Sequence, residues 1–413
     1  MRIQKKINPL YVDANGELQA DSELWAVGLN GTQVELADET WHDLPSSGEI
    51  TLLPGRLPLG YDDLSEEVTV LEGVTAVAAI IPVGYTRTLL PGYELAEVTE
   101  LPLFGYTAIG LCDGQLKVAA LATDADLKWN PIYYNTMDLS RLIKEKQQQH
   151  PKNRILAQLA KCALEYHCLT AQNIFYQRWE AGIPVSPVCN AECLGCISLQ
   201  PSECCPAPQG RIKFIPTVTE IVELAVAHLE NGAESIVSFG QGCEGEPSLQ
   251  SVILAEAIGE IRRQTSKGTI NINSNAGDYE AIKILVDQGL DSIRVTLFSA
   301  VAENYQWYHR PRGYDLAQVT AALKYASVYQ ELTSLNLLLY PGFTNSPRET
   351  VALKELIATT GVKLIQLRNL NLDPEKMVEK FDDQELPSIS EWLIELKRDF
   401  PKLQFGNYSK PLR

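Results

Sequence analysis

No apolar run in this chain is long enough to cross a bilayer. The longest, Val74 to Val83, holds ten residues and includes Thr75 and Pro82, against the roughly 20 that a spanning helix needs. The first residues, Met-Arg-Ile-Gln-Lys-Lys-Ile-Asn-Pro, are not followed by an apolar segment of the secretory type, so no signal peptide is expected. Basic residues are in the minority, 35 Lys and Arg against 52 Asp and Glu, for a net charge of −17. That balance argues against a nucleic-acid partner, because a phosphate backbone is met by clustered Lys and Arg. Internal repeats and low-complexity tracts are also lacking. Nine cysteines in 413 residues, with no secretory segment, read as cytosolic thiols and metal ligands rather than a disulfide framework. A soluble cytoplasmic protein with a real core is expected, since 45% of the residues are hydrophobic and 21% charged, ordinary values for a globular chain.

The length suits two domains rather than one. Residues 1–135 read as a β-rich N-terminal domain. Asn15-Gly16, Asn30-Gly31, Pro54-Gly55, Pro91-Gly92 and Asp113-Gly114 are turn dipeptides, and short β-type runs such as Thr32 to Leu36, Val68 to Leu71 and Gln115 to Leu121 flank them. Residues 136–182 read as a helical connector, with Ile155, Leu156, Leu159, Ala160 and Leu164 at helical spacing. From Ile183 onward strands and helices alternate. Strands are expected at 183–186, 235–240, 269–274, 292–297, 334–339 and 363–368, and helices near 218–231, 248–265, 278–288, 316–329, 347–359 and 389–399. Thr217-x-x-Glu220 and Ser388-x-x-Glu391 are capping boxes. Six β/α units in a row imply an α/β fold, a parallel sheet curled into an incomplete barrel over 183–413, whose function lies at the C-terminal ends of its strands.

The most informative residues are Cys189, Cys193 and Cys196, in the run Val-Cys-Asn-Ala-Glu-Cys-Leu-Gly-Cys. The C-x3-C-x2-C spacing supplies three thiolates. Structural zinc takes four protein ligands, whereas three thiolates on a [4Fe-4S] cluster leave one iron open to a substrate or cofactor. Two further loops follow strands: Ser238-Phe239-Gly240-Gln241-Gly242-Cys243-Glu244-Gly245-Glu246-Pro247 and Asn273-Ser274-Asn275-Ala276-Gly277.

With these loops in place, the region from about Ile183 to Leu372 resembles the radical S-adenosylmethionine (SAM) enzyme superfamily. The cysteine loop resembles that family's hallmark, the Gly-Glu-Pro segment its second-strand loop, and Ile293-Arg294-Val295-Thr296-Leu297 its fourth strand. The resemblance implies a [4Fe-4S] cluster on Cys189, Cys193 and Cys196, with SAM chelating the open iron. It implies reductive cleavage of SAM to methionine and a 5′-deoxyadenosyl radical that abstracts a substrate hydrogen. It carries Gly245 and Glu246 to the methionine amino group, Ser274, Asn275 and Thr296 to polar contacts with SAM, and Arg310 to a carboxylate of SAM or substrate. A flavodoxin- or ferredoxin-type electron donor is implied as a partner. The substrate is a small molecule or a peptide, and no catalytic side chain is assigned. Where the family carries an aromatic residue before the third cysteine, this chain has Gly195, so Phe239 or Leu194 is the expected neighbour of adenine. A cobalamin-binding Asp-x-His-x-x-Gly motif is absent. The competing reading is a non-catalytic iron–sulfur or zinc protein that uses the barrel for binding, with Cys204 and Cys205 nearest in sequence to complete a zinc site. Cys243 reads as a small core-facing loop residue.

Overall fold

The computed structural model describes residues 5–124, 128–200, 207, 209–330, 332–381 and 384–413. Cys204 and Cys205 lie outside the described residues. The chain forms two compact units, each drawn from separated stretches of sequence. Unit 1 comprises Met1–Ala125, Leu338–Val351 and Leu367–Pro401, and unit 2 comprises Asp126–Leu337, Ala352–Gln366 and Lys402–Arg413.

Unit 1 is built on antiparallel ladders. One sheet of eight strands runs through Thr75–Ile80, Asn8–Val12, Ile109–Cys112 and Gln115–Val118, and one of six runs through Leu90–Pro91, Trp25–Asn30, Arg56–Asp62 and Tyr93–Leu95. The Asp113-Gly114 pair turns Ile109–Cys112 into Gln115–Val118 with φ of 49° and 77°, the positive angles that a two-residue hairpin demands. Leu10, Val77, Ala79, Ile109, Val118 and Ala120 form one of its buried clusters.

Two buried arginines join the N-terminal strands of unit 1 to its later segments. Arg56 Nη2 donates to Asp373 Oδ1 at 2.9 Å, with 0% and 4% of the two side chains exposed. The second Asp373 oxygen accepts from Leu101 N at 2.8 Å. Arg87 donates to the carbonyls of Tyr106 at 3.2 Å and Leu370 at 3.0 Å, and lies 4.6 Å from the ring centroid of Tyr340. Its backbone N–H donates to Asn369 Oδ1 at 2.9 Å. Gly342 and Gly31 have positive φ, and a Cβ on Gly342 would come within 1.9 Å of Gly31 N, so only glycine permits that approach.

Unit 2 carries a parallel sheet in sequence order: β1 (Arg178–Gly182), β2 (Ala233–Phe239), β3 (Thr269–Ser274), β4 (Ser292–Leu297), β5 (Leu332–Leu339), β6 (Leu364–Asn369) and β7 (Gln404–Gly406), with the ends of β5 and β6 grouped in unit 1. This is a curled, partial barrel. Six strands are expected from the sequence, and the seventh, β7, is only three residues long. The first strand falls at 178–182 rather than 183–186. Ile183 N still donates to Ser238 O at 3.0 Å, and the apolar run that it opens then leaves the ladder because the N–H groups of Val185 and Ser186 turn to the Glu244 carboxylate. The helix Val218–Asn231 opens with the Thr217–Glu220 capping box. Three helices, Leu139–Gln149, Arg154–Leu164 and Leu169–Tyr176, precede β1.

A buried polar cluster joins β1 to β2, β3 and β4 and to the segment after β7. Glu180 on β1 accepts from Ser238 Oγ at 2.6 Å, pairs with Arg294 at 3.3 Å and accepts from Ser409 Oγ. Asn271 joins Ser238 at 3.1 Å and Ser292 at 2.8 Å. Among the described residues no helix is long and apolar enough to cross a membrane.

Removing one partner of a buried ion pair strands the other charge, at a cost of about 3–5 kcal/mol. Asp373→Ala is therefore expected to lower stability by about that amount in urea unfolding, while Lys5→Ala, which breaks a solvent-screened, exposed pair with Asp113, leaves it nearly unchanged. Equal effects from the two variants would contradict the role given to Asp373.

Candidate metal and cofactor site

The cysteine loop follows β1 and is tied at both ends by backbone. A carboxylate sits beneath it. Glu244, 2% exposed, accepts from four backbone N–H groups: Val185 at 2.7 Å and Ser186 at 3.0 Å on one oxygen, Gly240 at 2.6 Å and Gln241 at 2.9 Å on the other. One side chain thus joins the start of the cysteine loop to the loop after β2. Burial pushes the Glu244 carboxyl up to about 7 against the pull of those donors.

The glycine of the Gly-Glu-Pro segment serves the same junction. Gly245 N donates to Ser186 O at 2.7 Å and Glu246 N to Val188 O at 2.8 Å. A Cβ on Gly245 would lie 1.9 Å from Val188 O, so the backbone next to Cys189 approaches this closely only because residue 245 has no side chain.

The far side of the cysteine loop lies along residues 308–312. Glu192 N donates to His309 O at 3.1 Å, Leu194 N to Tyr308 O at 3.0 Å, and Arg312 N to Asn190 O at 2.8 Å. Ala191 and Pro311 form an isolated antiparallel bridge. The Tyr-His-Arg-Pro-Arg run is thus a splint for the cysteines. Arg310 sits at its turn with φ of 46°, and its exposed side chain joins none of the hydrogen bonds of the site.

Cys189, Cys193 and Cys196 are partly exposed free thiols. They lie within electrostatic reach of one another. Burial, then the neighbouring Glu246, pushes the Cys189 thiol up to about 11. Burial, then Cys196 and Cys189, pushes Cys193 higher. Cys193 Sγ lies 3.3 Å from His309 Nδ1.

Glu246 is 4% exposed. One oxygen accepts from Ser274 Oγ at 2.6 Å and Ser248 N at 3.0 Å, the other from Asn275 N at 2.8 Å. Asn275 Nδ2 donates to Asn190 Oδ1 at 2.6 Å, which closes the circuit back to the cysteine loop. The structure therefore brings Cys189, Gly245, Glu246, Ser274 and Asn275 into one connected group. Burial raises the Glu246 carboxyl above the usual range. Thr296, half-buried on β4 in register with Asn336, makes none of these bonds.

Other expectations resolve differently. Phe239 is 0% exposed and offers no face to a ligand, while Leu194 is partly exposed. Cys243 is buried, with Cys162 close enough to perturb its thiol. His228 is buried and its Nε2 donates to Trp179 O at 2.6 Å. Sequence reasoning missed Glu244 and His309 as parts of the site. Glu244 stood beside a recognised motif, and only the four amides that reach it from two loops reveal its role.

Residues 183–353, less than half of the chain, match the model of the Radical SAM superfamily. No curated protein matches the chain. Among solved structures it is similar to methylornithine synthase, at 14% identity and a TM-score of 0.39, over 67% of this chain and 73% of that one. It is also similar to the [FeFe]-hydrogenase maturase HydG, at 17% identity and a TM-score of 0.39, over 67% of this chain and 64% of that one. A third is Streptococcus suis SuiB bound to S-adenosylmethionine, at 13% identity and a TM-score of 0.37, over 61% of this chain and 51% of that one. Residues 183–353 are a radical SAM superfamily domain. The superfamily consists of enzymes that use a [4Fe-4S] cluster and SAM.

A Gln at position 244 would present an amide donor to two backbone donors. Each stranded N–H costs roughly 1–3 kcal/mol. Glu244→Gln is thus expected to lower stability by about 2–6 kcal/mol in urea unfolding. A loss below about 1 kcal/mol would remove the clamp from the account.

Proposed function

We propose that this chain is a radical SAM enzyme that abstracts hydrogen from its substrate, with Cys189, Cys193 and Cys196 holding a [4Fe-4S] cluster. The donor chemistry suits that group: three free thiols lie on one short loop within electrostatic reach of one another, and three thiolates on a four-iron cluster would leave one iron for SAM. The observation that carries the reading is the circuit from the cysteine loop through Asn190, Asn275, Glu246 and Ser274, since it sets a buried carboxylate beside Cys189. When bound, the cluster and SAM supply one-electron cleavage of the sulfonium and hydrogen abstraction.

The chain's own residues bind and orient. Glu246 has about four acceptor sites and three recorded donors, so it retains capacity for the ammonium of SAM. Gly245 keeps the loop backbone close to Cys189. Ser274 and Asn275 hold the Glu246 carboxylate in place, and Thr296 and Arg310 are candidate contacts to the remainder of SAM or to a substrate carboxylate. A flavodoxin- or ferredoxin-type protein is the proposed electron donor.

Anaerobic reconstitution with iron and sulfide should yield about four irons per chain, and reduction with SAM present should release 5′-deoxyadenosine. Replacing Cys189, Cys193 and Cys196 together by Ala should remove the iron. About four irons in that triple variant would overturn the assignment. Zinc retention with no 5′-deoxyadenosine from the parent chain would favour the non-catalytic alternative.

Glu246→Gln should weaken SAM binding about tenfold in a calorimetric titration while the cluster spectrum persists, because a charged acceptor becomes a neutral one. Unchanged affinity would take Glu246 out of the cofactor site.

A further inference from the structure

His309 is fully enclosed, 1% exposed, and both ring nitrogens are committed. Phe298 N–H points at Nε2 at 3.1 Å. A backbone amide can only donate, so Nε2 must carry the lone pair. In a neutral imidazole the proton then resides on Nδ1. Nδ1 lies 3.3 Å from Cys193 Sγ, and the sulfur's other recorded neighbour is His309 O at 3.7 Å. Tyr305, with ring centroids 4.5 Å apart, and Tyr308, at 5.0 Å, pack against the imidazole and fix its plane. The backbone of the same residue splints the cysteine loop through Glu192 N. A side chain that merely filled space would need neither the acceptor contact with Phe298 nor the alignment with sulfur.

We infer that His309 is a positioning residue whose Nδ1–H donates a fixed hydrogen bond to the Cys193 thiolate and raises the reduction potential of the cluster bound there. This rests on the functional reading above. The physical reason is that reduction adds negative charge to the cluster and its sulfurs. A donor aimed at one of those sulfurs stabilises the reduced form more than the oxidised form. The outcome is a cluster that a protein electron donor reduces more readily, set by a residue outside the cysteine motif.

Two substitutions separate this role from simple packing. His309→Gln keeps an acceptor near the Nε2 position for Phe298 N–H but places no donor at the Nδ1 position. His309→Asn does the reverse. Iron and sulfide content of the parent chain is measured first. A parent without a four-iron cluster defeats the functional reading itself, whatever His309 does. With the cluster present, potentiometric titration followed by electron paramagnetic resonance should show His309→Gln shifted to a more negative potential. The expected change is about tenfold in the reduced-to-oxidised ratio, about 59 mV for one electron, with His309→Asn near the parent value. An unshifted Gln variant, or equal shifts in Gln and Asn, overturns the assignment. Should the Gln variant fail to load iron, ¹⁵N-histidine NMR of the cluster-free parent decides the matter. The His309 signal is assigned by its loss in the Asn variant. The Nδ1–H tautomer supports the inference, and the Nε2–H tautomer overturns it.

Discussion

The Glu244 carboxylate, held by four backbone N–H groups, is the constraint on which the rest of the site depends. Removing a carboxylate from water costs several kcal/mol, and hydrogen bonds to a charged group return roughly 1.5–3 kcal/mol each. Two donors come from the segment leading to Cys189 and two from the loop leading to Gly245. With that junction set, Gly245 lies against Val188, Glu246 faces Cys189, and Ser274 and Asn275 close on the Glu246 carboxylate. The geometry of the cysteine loop is therefore a consequence of its neighbours as much as of its own spacing.

The two faces of that loop are held by different means. The Glu244 side is held by a buried carboxyl group that accepts four backbone N–H bonds, and the opposite side by backbone pairing with Tyr308–Arg312. Cysteine thiols that must meet a cluster in one arrangement need such support, because the pre-organised position of a ligand is set by what its backbone is bonded to. His309 belongs to both arrangements, through its carbonyl on Glu192 N and its imidazole beside Cys193.

Local patterns made part of this visible in the sequence. The Cys189–Cys196 spacing, the Gly245-Glu246-Pro247 segment and the Ser274-Asn275 pair each lie within a few residues and each follows a β-type run, so they and the alternating α/β pattern were legible. Capping boxes at Thr217 and Ser388 were legible for the same reason. Long-range polar pairing was not. His309 lies 116 residues from Cys193 and Arg87 lies 282 from Asn369, and nothing near either residue marks its partner. The first strand falls earlier than its apolar run suggests because the amides of Val185 and Ser186 are claimed by Glu244. The gathering of Leu338–Val351 and Leu367–Pro401 into unit 1 rests on Arg56, Arg87, Asn369 and Asp373, polar residues that hydropathy patterns do not locate. Phe239, a candidate neighbour of adenine because Gly195 is not aromatic, is fully buried at the end of β2 and offers no face to a ligand.

The central claim is that three cysteines of this chain hold a cluster with one iron left for SAM. Mössbauer spectroscopy of the ⁵⁷Fe-reconstituted protein, with and without SAM, tests it most directly. The account predicts that one iron in four changes its isomer shift when SAM is added while the other three keep theirs. Four irons that remain unchanged on addition of saturating SAM would contradict it.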